Sequence, residues 1–252
     1  GIRVIDNLRC ISDEAIDVIH GHHKGPTLIA FSFFPSVPVV YISHGVLDRV
    51  LPFEGPPDPP VRVQLFVAVS EEVKENLVRR FGKPEQDVII VRNAVDTERF
   101  QPRGRIGKVL RNVLWISNYA GHEVRETVRG ACARLGLNLK IIGRAGRIVW
   151  NVEDYINGAD LVISLGRGVI EGMACGRPVV VYGPHGADGL VTADNIDELQ
   201  KVNFSGRRYR RRYNAEALVE ELRRYDQEMG EVNRQMVLER FDAQKQAQQL
   251  VG

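Results

Sequence analysis

Cysteine is scarce in this 252-residue chain: Cys10, Cys132 and Cys175 are odd in number and lack the paired spacing of a metal site. A disulfide framework and a thiolate metal centre are therefore excluded as organising elements, and buried free thiols are expected. Long apolar runs are missing too, none approaching the roughly 18 residues that cross a bilayer. The N-terminus has no basic segment followed by an apolar one, so no export signal is read and a cytoplasmic protein is expected. Net charge is only +2, which leaves any attraction for anions to local clusters. No internal repeat or low-complexity tract replaces a packed core.

What the chain does contain is concentrated in Val162 to Gly186, VISLGRGVIEGMACGRPVVVYGPHG. Leu161 to Ser164 and Pro178 to Tyr182 are short apolar or β-branched runs, the pattern of buried parallel strands. One helix lies between them. Gly166, Arg167 and Gly168 open it, where glycine lets backbone N–H groups approach an anion at the positive helix end, and a diphosphate suits the place. Glu171 follows within the first turn, where its carboxylate can accept hydrogen bonds from vicinal sugar hydroxyls, ribose above all. Offsetting the helix dipole is the alternative role for Glu171.

Upstream, strands are expected at Asp17–His20, Pro38–Ser43, Leu65–Val69 and Asp87–Val91, with helices over Thr27–Phe34 and from the N-cap Ser70 to Gly82. The first residues, through Ile16, read equally as strand or helix. His20, His22 and His23 crowd the end of the first strand. A metal site there is disfavoured, because histidines at one tight turn do not converge on an ion without distant ligands; a polar role beyond a strand's carboxyl end is expected instead. The second strand delivers His44. Leu51–Pro60 holds five prolines and reads as an irregular loop, shaping a pocket or bridging to the next strand. Downstream, strands are expected at Val109–Ser117 and Leu139–Ile142, a helix at Val124–Leu135, and a loop at Pro184–Asp188. Arg207, Arg208, Arg210, Arg211 and Arg212 with interleaved tyrosines form the one dense basic patch, open to an anionic membrane surface, nucleic acid or plain solvent. Asn214 caps a helix bearing Leu218, Leu222 and Tyr225, and a further helical segment runs to Leu250.

The run E-G-M-A-C-G-R-P-V-V-V from Glu171 to Val181 resembles the E-A-M-A-x-G-x-P-V-V segment of GT-B glycosyltransferases, above all the retaining family 4. Val67 to Pro102, with VAVSEEVKENLVRRFG and VIIVRNAVDTERFQP, resembles that family's S-x-x-V-K…N-G-V-D…F-x-P passage; glycine is usual where Ala94 stands. The resemblance runs from about Asp17 to the C-terminus. It implies an α/β fold of two Rossmann-like domains (GT-B type), the N-terminal one apparently truncated. A partial acceptor-side domain is expected over residues 1–104, a nucleotide-sugar-binding domain over 105–213, and helices packing across both over 214–252. A complete N-terminal domain would place further strand–helix units before Asp17.

The implied activity moves a sugar from a nucleoside-diphosphate sugar to an acceptor hydroxyl, with retention, as in polysaccharide biosynthesis. The resemblance assigns Glu171 to the ribose, Gly166, Arg167 and Gly168 to the diphosphate, and His44 to the sugar as the catalytic-site residue. Ser117 and Asn118 are further donor contacts. No metal and no cofactor are expected, the donor being a substrate. Partners would be the nucleotide sugar and an acceptor, with peripheral association at the inner membrane face through Arg207–Arg212; nucleic acid is not expected. Two departures stand out. The family's Arg/Lys pair after the strand ending at Ser117 is missing, leaving Arg144, Arg147 or Arg167 to supply positive charge. The glutamate that many members carry eight positions before Glu171 is Ile163. A sugar-nucleotide epimerase or hydrolase on the same scaffold, and a catalytically idle nucleotide- or partner-binding module, are therefore the rival readings.

Overall fold

The computed structural model describes residues 7–11, 16–46, 55–58, 61–118 and 121–251, the side chains of Cys10 and of residues 249–251 excepted. Readings made on the first residues, on most of the proline-rich loop, on the Cys10 thiol and on Tyr119 and Ala120 lie outside them. The chain divides into two compact units, Gly1–Arg92 and Asn93–Gly252.

In the first unit the strands β1 (Ile19–His22), β2 (Val39–Ser43), β3 (Val63–Ala68) and β4 (Val88–Ile90) pair in that order, all parallel. Helix α1 (Lys24–Phe33) connects β1 to β2 and helix α2 (Glu71–Glu75) follows β3. Ser70 caps α2 by accepting the Val73 N–H at 3.4 Å, and Glu71 and Glu72 lie in the first turn where the helix dipole favours them. The helix continues as a π turn over Asn76–Arg80. Tyr41, Phe66, Leu77 and Val88 form one buried cluster, and Ile19, Phe34 and Val39 another. β1 lies two residues later than the sequence suggests. His20 and His22 are consequently strand residues on one face, not a turn, because burial in β1 falls on Ile19 and Gly21.

The second unit holds β5 (Asn112–Ile116), helix α3 (His122–Arg134), β6 (Asn138–Ile142), α4 (Val152–Asn157), β7 (Leu161–Ser164), α5 (Arg167–Ala174), β8 (Val179–Gly183) and β9 (Gly186–Leu190). Helices α6 (Ile196–Lys201), α7 (Ala215–Arg223), α8 (Glu228–Arg240) and α9 (Ala243–Val251) complete it. The sheet order is β6-β5-β7-β8-β9, parallel except for β9. The chain winds from β5 to β6 on one side and returns to β7 on the other, so the connections part beside β5. In open α/β sheets such a switch point, beyond the strands' carboxyl ends, is where ligands bind.

Residues 93–104 belong with this unit for local reasons. Val95 exchanges backbone hydrogen bonds with Phe241 and Ala243 at 2.9 and 3.1 Å, Phe100 is buried in the core, and the Arg103 N–H reaches Asn157 Oδ1 at 2.8 Å. Asp160 holds the entry to β5: its carboxylate accepts the N–H groups of Gly107, Arg111 and Asn112 at 2.8–3.1 Å. These bonds to the charged form hold its pKa below the usual range despite burial, the largest influence, which acts the other way. α7 packs on α3 and α8 on α5, and Asn214 caps α7 through the Ala217 N–H at 2.9 Å.

One expectation needs correction. Pro184–Asp188 is not simply a loop, because Gly186–Leu190 pairs antiparallel with β8 as an edge strand. Its small residues carry no strand signal. The pairing is held from outside: the Ala187 N–H donates to the Arg211 carbonyl at 3.0 Å, and the Asp188 carboxylate accepts the N–H groups of Arg208 and Tyr209 at 3.3 and 2.8 Å. Cys132 and Cys175 are buried free thiols, as expected, and burial pushes them up to about 11 and about 12.

Candidate functional site

Three strand exits of the second unit meet at the switch point. After β5 come Ser117 and Asn118; after β6, Gly143 and Arg144; after β7, Leu165 and Gly166 lead directly into α5. The Ala145 N–H donates to the Ser117 carbonyl at 3.0 Å and the Arg144 N–H to Asn118 Oδ1 at 3.2 Å, tying the first two exits together. Ser117 and Asn118 thus hold the loop that presents Arg144. A cavity of about 650 Å³ opens here, lined by Asn118, Arg144, Ser164, Arg167, Gly168 and Glu171, with Ile148, Val149 and Val152 on its apolar side.

The turn into α5 is tightly specified. Gly166 has φ +56°, a left-handed conformation that glycine adopts without a Cβ clash, and its N–H donates to the Phe204 carbonyl at 3.0 Å. That N–H is therefore committed, and the helix donors facing the cavity come from Arg167 and Gly168, which lack a carbonyl one turn earlier. At Gly168 a Cβ would stand 2.3 Å from Ser164 Oγ, so only glycine lets α5 sit this close to β7. Phe204 and its neighbour Asn203 both have φ near +51°, and Asn203 accepts a hydrogen bond from the Asn93 amide at 2.9 Å. Nothing in the spelling of Asn203-Phe204 announces a left-handed pair supporting a glycine turn.

Glu171 reaches the cavity with its side chain only 13% exposed. Burial lifts its pKa above the ordinary range, and Arg167 opposes that, its Nε lying 2.9 Å from Glu171 Oε1. Arg167 is thus in part Glu171's counter-ion as well as a cation at the helix start. Arg144 stands at the cavity wall; Arg147 does not, its main chain closing the turn by accepting the Gly143 N–H at 2.9 Å. Ile163 is fully buried in the core formed with Trp115, Val128 and Val180. Only two residues separate β7 from α5, so position 163 falls inside the strand and no loop remains to offer a second carboxylate.

His44 follows β2 in the first unit and is half-buried. Its Nε2 lies 2.7 Å from His22 Nδ1, and His22 Nε2 lies 3.2 Å from His20 Nδ1. The His23 ring stands 5.2 Å from that of His44. Burial first, then the neighbouring rings, holds His44 down to about 4, and the same causes lower His22. Among the described residues no group of three or more His, Cys, Asp or Glu is arranged to hold a metal ion; His22 and His44 spend ring nitrogens on each other. In the arginine stretch Arg208 is ion-paired with Glu198, Arg212 donates to the Pro184 carbonyl at 3.2 Å, and the Arg211 guanidinium lies 4.9 Å from the Tyr209 ring centre.

Residues 3–99 match the family Glycosyltransferase Family 4. A glycosyltransferase from Rickettsia africae ESF-5 superposes with a TM-score of 0.64 at 14% identity, over 96% of this chain and 77% of that one. The chain has the GT-B fold. A UDP-N-acetylglucosamine 2-epimerase assignment from Listeria monocytogenes shares this GT-B architecture with a TM-score of 0.53 at 13% identity, over 96% of this chain and 75% of that one. A chain of the GtfA/B complex gives 0.52 at 14% identity, over 92% of this chain and 56% of that one. No curated protein matches the sequence. Among the described residues no helix of this GT-B chain is long and apolar enough to cross a membrane.

Proposed function

We propose that this GT-B protein transfers a sugar from a nucleoside-diphosphate sugar to an acceptor hydroxyl. The observation that carries the reading is Glu171: a carboxylate nearly removed from water, in the first turns of a glycine-opened helix, at the switch point of a parallel sheet. Such a carboxylate gains most from two hydroxyl donors, and a ribose diol supplies them beside a diphosphate held at the start of α5. Arg144 and Arg167 would neutralise the diphosphate, and charge developing on it as the sugar departs would be met by the same donors without a metal. His44 is the proposed contact to the transferred sugar. A retaining outcome is proposed on the family resemblance. Arg207–Arg212 is proposed to meet an anionic membrane surface, with Arg208 already neutralised by Glu198.

A second reading, nucleotide binding without transfer, draws on Ile163. With that position locked in β7, the carboxylate pair expected of the family is reduced to Glu171 alone. The two readings separate experimentally. Incubation with a bound nucleotide sugar and a panel of hydroxyl acceptors should release nucleoside diphosphate in step with a glycosylated product. Tight binding with neither product would leave the second reading.

A further inference from the structure

The histidines of the first unit form a single file. His20 and His22 alternate along one face of β1, and His44, two residues beyond Ile42, the ladder partner of His22, stands diagonally across the sheet. The contacts are His44 Nε2 to His22 Nδ1 at 2.7 Å and His22 Nε2 to His20 Nδ1 at 3.2 Å. His22, the inner ring, uses one nitrogen toward each neighbour. Exposure increases along the file, from half-buried His44 to exposed His20.

A neutral imidazole has one donor and one acceptor nitrogen, so the bonds can run in only two concerted senses. In one, His44 Nε2–H donates to His22 Nδ1 and His22 Nε2–H donates to His20 Nδ1, leaving His44 Nδ1 bare and His20 Nε2 protonated. In the other every bond is reversed. We propose that His20, His22 and His44 are a proton relay: His44 Nδ1 takes a hydroxyl proton and His20 Nε2 releases one to water.

In the forward step the hydroxyl O–H bond breaks and its electron pair stays on oxygen. The proton goes to His44 Nδ1; His44 passes its Nε2 proton to His22 Nδ1, His22 passes its Nε2 proton to His20 Nδ1, and His20 Nε2–H goes to water. The freed oxygen pair forms the new bond to the sugar's anomeric carbon on the face that the diphosphate leaves, as that carbon's bond to the diphosphate breaks, which keeps the configuration. This identity of the hydroxyl rests on the transfer reading; the relay geometry does not. Once the product has left, one proton entering from water at His20 Nε2 and one leaving His44 Nδ1 to water restore the first sense. Burial and the neighbouring rings favour the neutral forms of His44 and His22. Among the described residues the His23 ring, at the turn before α1, also lies against the file, 5.2 Å from that of His44. His44 would be the catalytic residue and His20 and His22 positioning residues.

Histidine-selective ¹⁵N spectra of the full chain test the file without any turnover. At pH 8 a scalar coupling should connect His44 Nε2 with His22 Nδ1 and vanish in His22→Phe. Six histidines averaging independently between tautomers, with no such coupling, would overturn the relay whether or not the protein transfers sugar. With a productive donor and acceptor, His20→Ala should lower kcat about tenfold or more at unchanged KM, as removal of assisted proton transfer does, and added imidazole should restore it. His20 is exposed, so this variant loses no buried contact. Full kcat in His20→Ala, or a loss that imidazole does not rescue, would also overturn the relay. Coupled spectra with no turnover on any acceptor would sink the transfer reading and leave the proton file standing.

Discussion

Two glycine-to-alanine changes in the second unit should move stability in opposite directions. At Gly168 the added methyl would lie 2.3 Å from Ser164 Oγ and 3.3 Å from Ser164 Cβ. Ser164 is buried and its hydroxyl donates to the Ile116 carbonyl at 3.2 Å, so turning it away forfeits that bond. The first turn of α5 must therefore lift off β7, an overpacking cost of about 1–3 kcal/mol, against a helix gain of about 0.5–1 kcal/mol from replacing glycine. A net loss of about 1–2 kcal/mol corresponds to a fall in Tm of about 2–8 °C for a unit of this size. At Gly130 in α3 the methyl would meet only Ala215 Cβ, at 3.4 Å, an ordinary contact. The helix gain then stands alone, and stability should rise by about 0.5–1 kcal/mol. Urea titration and calorimetry on both variants read the signs directly, and nucleotide affinity should fall about tenfold in Gly168→Ala only, because its change displaces the cavity wall. A Gly168→Ala protein as stable as its parent would refute the seating of α5 on Ser164.

Three further outcomes are expected. Asp160→Ala strips the acceptor from three backbone N–H groups and the Asn112 amide, and, at about 1–3 kcal/mol for each donor left unsatisfied, should cost about 3 kcal/mol or more in urea unfolding; a loss under 1 kcal/mol would contradict that role. His44 is held down to about 4 from an ordinary 6.5, so the unfolded chain binds the extra proton. Stability should therefore be full above pH 6.5 and decline towards pH 4, by at most about 3 kcal/mol and by about 1–2 kcal/mol once partial solvent exposure is allowed for. A His44→Asn variant with the same slope in thermal melts between pH 8 and 4 would remove His44 as the cause. Glu171's raised pKa means that its carboxylate is lost at higher pH than an ordinary glutamate's. Nucleotide affinity should weaken as pH falls through that raised value, and at still higher pH in Arg167→Ala; calorimetric affinities independent of pH would exclude the carboxylate from binding.

Much of the second unit was legible because its strands are short apolar runs ending in glycine turns: Leu161–Ser164 is read without error. The Asn214 cap, and Ser70 in the first unit, announce themselves by residue type. β9 was not, since Gly-Ala-Asp-Gly is turn composition and becomes a strand only through bonds from Arg211 and to Asp188. The short helices α4 and α6 carry too few residues for a periodic signal. In the site, motif and spacing found Asn118, Arg144, Arg167, Gly168 and Glu171, which line one cavity. Ile148, Val149 and Val152 escaped notice because apolar wall residues look like core. The departure at Ile163 was visible, but its cause was not: the two-residue link from β7 to α5 puts that position within the sheet. The histidine file was invisible because a two-residue shift of β1 turns a crowded loop into one face of a strand.

The claim on which the rest depends is that the second-unit cavity takes a nucleoside-diphosphate sugar. A metal-free calorimetric and thermal-shift screen of UDP, GDP, ADP and their common sugar conjugates tests it most directly, comparing the parent with Glu171→Ala. One nucleotide family should bind, raising Tm as saturation grows, and Glu171→Ala should weaken it by about 1.5–3 kcal/mol, the worth of hydrogen bonds to a charged group. Absence of binding by every nucleotide, or equal binding by Glu171→Ala, would contradict it.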